Sequence, residues 1–159
     1  MTSLSLCRIV RAAVVAVAIC GLVVCGYILP RWGMEAALRR TEDSSYYMPW
    51  LVFLWAAAVP CFIIVALVWK VSTAIKNDRV FTFETARLVK TGSVLLFCDV
   101  GFFFVGNVVL FILNLSHPGV LLASLFIDVF GVSLALLAAV LARYLTKAAA
   151  LQEEADGTI

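Results

Sequence analysis

The sequence predicts an all-α integral membrane protein, a four-helix bundle with both the N and C termini in the cytoplasm. Three observations carry that expectation. Charge is nearly absent from four stretches: none occurs between Arg11 and Arg31 or between Asp43 and Lys70, and Thr91–Ser116 and Val120–Ala142 hold one Asp each. Each stretch suffices for a helix across the hydrocarbon core, which takes about 20 apolar residues, with its backbone hydrogen bonds made internally as lipid requires. Composition agrees, since 64% of the 159 residues are hydrophobic and 14% charged, against roughly 45–50% and 25% in soluble domains. Finally, four crossings put both termini and the central loop on one side, which carries nine of the 12 Lys and Arg residues and leaves only Arg31, Arg39 and Arg40 opposite. That excess of basic residues marks the cytoplasmic side. The net charge of +2 reflects the same bias and gives no reason to expect direct contact with nucleic acid.

The first crossing is expected over residues 9–29, ending at Pro30. It reads as uncleaved. Cleavage at Ala16-Val17-Ala18 would leave too short an apolar run, and Cys20 and Cys25 follow Ile19 and Val24 where a lipoprotein site wants a small residue. An external loop should lead to Tyr46, Tyr47 and Trp50, an interfacial aromatic belt at the entry to the second crossing, residues 49–70, with Trp69 at its other interface. Pro60, near the middle, removes a backbone donor and predicts a kink, with the freed Ala56 carbonyl left to a neighbour. In the cytoplasmic loop, residues 70–90, Asn77 and Asp78 make a turn. Thr82 then suits a helix N-cap and Glu84 its first turn, so a helix should run on into the third crossing, residues 91–115. The tight turn Ser116-His117-Pro118-Gly119 makes the third and fourth crossings an antiparallel pair, the latter over residues 120–142. His117 reads as an exposed turn residue. A cytoplasmic tail, residues 143–159, completes a single membrane domain, because no aqueous segment is long enough to bury a core of its own.

No Gly-rich phosphate loop, nucleophile elbow or zinc motif occurs, so neither an enzyme nor a cofactor or metal is expected. The five cysteines, Cys7, Cys20, Cys25, Cys61 and Cys98, are odd in number and lack metal-ligand spacing. They read as small side chains packing between helices.

The intramembrane polar residues are Asp99, Asn107, Asn114 and Asp128, and an acid in that setting is a functional candidate by default. At 100° per residue, Gly92, Asp99, Gly106, Asn107 and Asn114 share one face of the third helix. Ser124, Asp128, Gly131, Ala135, Ala139 and Ala142 share one face of the fourth, with Phe126, Phe130, Leu137 and Leu141 turned to lipid. Small and polar faces of this kind suit close helix packing. Counted from a turn centred between His117 and Pro118, Asp128 and Asn107 lie equally deep, roughly 16 Å below the turn, and should hydrogen-bond; Asp99 lies about 12 Å deeper.

Several motifs together resemble one bacterial family. Phe81-Thr82, Glu84, Ala86, Leu88 and Gly92 resemble its loop motif, and Tyr47, Pro49 and Val59-Pro60 its second helix. Leu151-Gln152-Glu153-Glu154-Ala155-Asp156-Gly157-Thr158-Ile159 is similar to its terminal Glu-Asn-Asp-Leu-Thr-Ile/Val, with departures at Ala155 and Gly157 and, in the loop, at Thr85. The family is DUF2975, four-helix membrane proteins, and the resemblance covers nearly the whole chain. It implies a multi-pass protein of the bacterial inner (cell) membrane, with no activity assigned. Its members' genes often lie beside a small helix-turn-helix regulator, which implies such a regulator as the cytoplasmic partner.

Beside the lipid bilayer itself, the leading expectation is therefore a non-catalytic interaction or regulatory protein. Its partner-binding residues would be Phe81, Thr82, Glu84, Glu154, Asp156, Thr158 and Ile159. The alternative is a small transport or proton-linked module built on Asp99 and Asp128, assembled as a homo-oligomer.

Overall fold

The computed structural model describes residues 3–39, 47–76 and 80–157, and among them there are helices and turns but no strand. Helix α1 spans Ser3–Val23. It passes through one π-helical turn, Val24–Ile28, into α2, Leu29–Arg39; α3 is Tyr47–Lys76, α4 Phe83–Ile112 and α5 Pro118–Asp156. Four of the resulting helical rods are long and apolar enough to cross a membrane.

The first crossing departs from expectation at Pro30, where the helix does not end. In the π turn the Leu29 amide reaches back five residues to the Val24 carbonyl. In that register the Cys25 carbonyl would wait for an amide on residue 30, which proline lacks. The Trp55 indole donates to it instead, at 3.1 Å. The helix therefore continues as α2, whose Gly33 lies so close to the Tyr47 and Trp50 rings that a Cβ there would come within 2.5 Å of Tyr47. Tyr47 also donates to the Pro30 carbonyl at 3.2 Å. Tyr46 and Arg40 lie outside the described residues, as do Asn77, Asp78 and Arg79. Helix α3 runs unbroken through Pro60.

The turn between α4 and α5 is built differently from the one expected. Asn114 adopts φ 56°, the left-handed conformation that Asn tolerates best after Gly. The Leu115 amide then bonds the Leu110 carbonyl at 2.9 Å and the Asn114 amide bonds Phe111 at 3.0 Å, a Schellman stop that ends α4 at Ile112. His117 is more than an exposed turn residue: its Nδ1 accepts from the Gly119 amide at 3.1 Å and so caps α5, with Pro118 in the first turn.

The helices form an open row. α1 packs on α3, α3 on α4 and α4 on α5, each pair antiparallel. Among the described residues no Cα–Cα approach within 8 Å joins α1 to α4 or α5, or α3 to α5. The bundle is thus not closed into a ring. One end of the row, called the basic end below, holds Cys7, Ser72, the start of α4 and the last turns of α5. There the Cys7 thiol lies 3.4 Å from the Ser72 carbonyl and hydroxyl, Arg11 donates to Thr73 at 3.3 Å, and the Arg11 guanidinium stacks 5.1 Å from the Trp69 ring.

Helix α4 carries two packing faces, each repeating every seven residues as in a left-handed helix pair. Ala86, Ser93, Val100 and Asn107 with Val89 and Leu96 form the stripe toward α5, while the Phe103 ring stacks on Phe53 of α3. The counterpart of that stripe is Asp128, Ala135, Ala142 and Ala149 with Ser124, Gly131, Ala138 and Leu145. Gly92, Asp99 and Gly106 form the other face and meet Leu67, Cys61 and Phe53 of α3. The small-residue face expected on the third helix is accordingly split between two neighbours. On the fourth, the large apolar side chains lie off the packing face: Phe126, Phe130, Leu137 and Leu141 are all exposed, Phe126 to 79%.

Candidate functional site

Two places gather the polar residues singled out above. The first lies midway along the helices. Asp99 is 9% exposed, and the Cys61 thiol of α3 donates to its Oδ2 at 3.3 Å. Its Oδ1 has no partner. Cys61 was expected only to pack, yet its position was readable: it lies as far before the loop between Lys76 and Phe83 as Asp99 lies after it, to within one residue. Among the other cysteines Cys7 is buried, whereas Cys20 and Cys98 are exposed, and all five are free thiols.

Asp128 is 7% exposed, and among the described residues neither carboxylate oxygen has a hydrogen-bond partner. The expected Asp128–Asn107 bond does not form; the Asn107 amide donates instead to the Phe103 carbonyl in its own helix at 2.8 Å. Register explains the miss. With α4 ending at Ile112 and α5 starting at Pro118, the turn is centred on residue 115, which offsets Asn107 from Asp128 by about 7 Å in depth. The same correction brings Asp99 to within about 5 Å of the depth of Asp128, against the 12 Å expected. The two acids still face different neighbours. Asn114 belongs to neither face, being an exposed turn residue.

The second place is the basic end. Thr82 (φ −124°, ψ 152°) is the N-cap of α4, its hydroxyl accepting from the Thr85 amide at 3.3 Å, which is the cap that the sequence suggested. Thr85, buried behind it, has its hydroxyl 3.1 Å from that of Thr82. Phe81 and Phe83 are held beside this cap, 53% and 49% exposed, and Glu84 is exposed in the first turn. Across the seam, Ser93 bonds the Ala135 carbonyl, which puts Phe83 level with about Leu145. Helix α5 continues to Asp156 without a break at residue 143. It therefore overshoots the start of α4 by about 16 Å. Leu151 through Ala155, Glu154 among them, are exposed on this overhang, and the Gly157 amide closes it on the Glu153 carbonyl at 3.0 Å. Asp156 is placed in backbone only, and Thr158 and Ile159 lie outside the described residues. The basic end thus presents an aromatic pair at a fixed helix start beside a projecting, partly acidic helix, a surface suited to binding. No curated protein and no solved structure matches the chain. A family model described as "Protein of unknown function (DUF2975)" matches residues 32–159, and the chain belongs to that family.

Proposed function

We propose that the protein is a non-catalytic regulatory protein of the bacterial inner membrane that contacts a cytoplasmic partner through its basic end. The observation behind this reading is the overhang of α5 beside Phe81 and Phe83: an exposed helix end and two exposed rings on one rigid pair of helices. The positive-inside bias supports a cytoplasmic position for that end. The partner that the family resemblance suggests is a small helix-turn-helix regulator.

Two experiments test this. Single-cysteine variants on a cysteine-free background, labelled in intact cells with an impermeant reagent, should react near Thr41 and not near Ala150. The reverse pattern overturns the orientation. Removal of Leu151–Ile159 should abolish capture of a soluble cytoplasmic protein from native membranes while leaving insertion and thermal stability unchanged. A truncated protein that still captures every partner of the full chain removes the tail from the binding surface.

One observation favours a second reading. Asp128 is buried with no donor to either oxygen, as an acid kept for proton or cation handling would be. A proton-linked transport module, assembled as an oligomer, would place its sensitive residues at Asp99 and Asp128 instead of the basic end.

A further inference from the structure

A groove of about 650 Å³ opens on α4 at the basic end. Its lining changes character along the helix. Phe83 and Ala86 lie at its outer mouth, Arg87 and Lys90 follow, Thr91 and, from α5, Thr146 come next, and Val94 and Leu95 line the inner end. The run of α4 without Lys or Arg begins at Thr91. The gradient therefore straddles the boundary between headgroups and hydrocarbon, with Val94 and Leu95 about one turn inside it.

Charge selects the occupant. No carboxylate lines the groove, and neither Arg87 nor Lys90 makes an ion pair among the described residues. Arg143 and Lys147, both exposed, lie within one turn of Thr146 along α5. Two cations thus line a cleft with two more close by on α5, and the Thr91 hydroxyl lies within it at the depth of lipid phosphates, while that of Thr146 donates to the Ala142 carbonyl at 2.9 Å. The basic rim of the groove faces away from α3 and opens to the bilayer along the flank of the α4–α5 pair, because Gly92, Asp99 and Gly106 mark the side of α4 that meets α3, Arg87 and Lys90 are about 120° and 180° around the helix from Asp99 at about 100° per residue, and Thr146 of α5 borders the cleft.

We propose that this groove holds an anionic phospholipid drawn from the surrounding membrane, its phosphate between Arg87 and Lys90 and an acyl chain along Val94 and Leu95. A soluble phosphate would leave the apolar half unused. An acidic peptide would have to enter from the lipid side. The groove shares Phe83 with the surface of the partner reading, but the α5 overhang on which that reading turns lies beyond it, so removal of the tail tests the two separately.

The test is native mass spectrometry of the full-length protein in detergent, titrated with phosphatidylglycerol or phosphatidylcholine. Wild type should retain phosphatidylglycerol in preference. At about 1 kcal/mol for each basic residue at a lipid surface, Arg87→Gln with Lys90→Gln should weaken that retention roughly tenfold or more. The exchange Arg87→Lys with Lys90→Arg should preserve it, as should Lys70→Gln with Lys76→Gln outside the groove. Equal retention of the two lipids by wild type, or unchanged retention by the Gln pair, overturns the proposal. So does displacement of the lipid by excess glycerol phosphate, which would assign the cleft to a free phosphate, or by an acidic peptide. Loss of partner capture on tail removal, with lipid retention intact, would separate this site from the one proposed above.

Discussion

The two seams of α4 treat a buried acid in opposite ways. Toward α3, Asp99 receives the Cys61 thiol, and the contact is otherwise glycine against larger side chains, Gly92 facing Leu67 and Gly106 the Phe53 ring. Toward α5, Asp128 receives nothing, although Ser93, Asn107 and Ser124 line the same seam. Each of those three donates to a main-chain carbonyl instead: Ser93 to Ala135, Asn107 to Phe103 and Ser124 to Leu121. The longer seam is therefore held by close approach of small residues, Ala135 being 0% exposed, with its side-chain polarity spent on backbone. That is how helices associate where lipid is as apolar as the side chains and the hydrophobic effect between them is weak. Asp99 is explained as a bonded member of its seam. Asp128 is not, and packing gives no reason for an acid at that position.

The largest expected effects come from wedging the seams. A Cβ at Gly131 would lie 2.6 Å from Val100 Cγ2, and among the described residues α5 packs on no helix but α4. Gly131→Leu should lower stability in detergent by about 3 kcal/mol, the upper range for overpacking, with α5 losing its contacts. Gly106→Leu should cost less, about 1–2 kcal/mol. A Cβ there would fall on the Phe53 ring, which is tilted against Phe102 at 5.5 Å and stacked on Phe103 at 5.8 Å, but α3 keeps its packing on α1. Thermal unfolding followed by circular dichroism reads both. Wild-type behaviour of Gly131→Leu would mean that the two helices do not pack through this face, and a larger loss from Gly106→Leu would reverse the ranking of the seams.

How far the sequence reached follows from what sets each feature. The four crossings, the Thr82 cap and the small-residue face of the fourth helix are local, readable from charge gaps, cap chemistry and a periodicity near 3.6. Register is not local. It depended on where α4 stops, and Asn114 in a left-handed turn, not the Pro118–Gly119 dipeptide, decides that. An error of 2.5 residues in the turn centre was enough to pair the wrong polar residues. The passage through Pro30 was hidden for a related reason: it needs a donor to the Cys25 carbonyl from Trp55, thirty residues further along the chain than Cys25. The split of the α4 face between two neighbours followed from the open row, which no single helical wheel contains.

The smaller and more discriminating test exchanges the acids. Asp99→Ala removes a thiol–carboxylate contact, and interhelical hydrogen bonds in membranes average about 0.6 kcal/mol, so a slight loss of stability is expected. Cys61→Ala should produce a similar loss, and the two together little more than either alone, because they remove the same interaction. Asp128→Ala should have the opposite sign. An unsatisfied buried polar group costs about 1–3 kcal/mol, and its removal relieves that cost, less the small void left where the carboxyl stood. Net stabilisation of about 1 kcal/mol is expected, while Asp128→Asn, still polar, should remain near wild type. If Asp128→Ala instead destabilises as Asp99→Ala does, the second acid is bonded in the membrane after all. Both would then be interhelical glue, and the transport reading would lose the observation that favours it. If it stabilises, the chain carries a destabilising acid at the centre of its tightest seam, as sites kept for function do at the expense of stability.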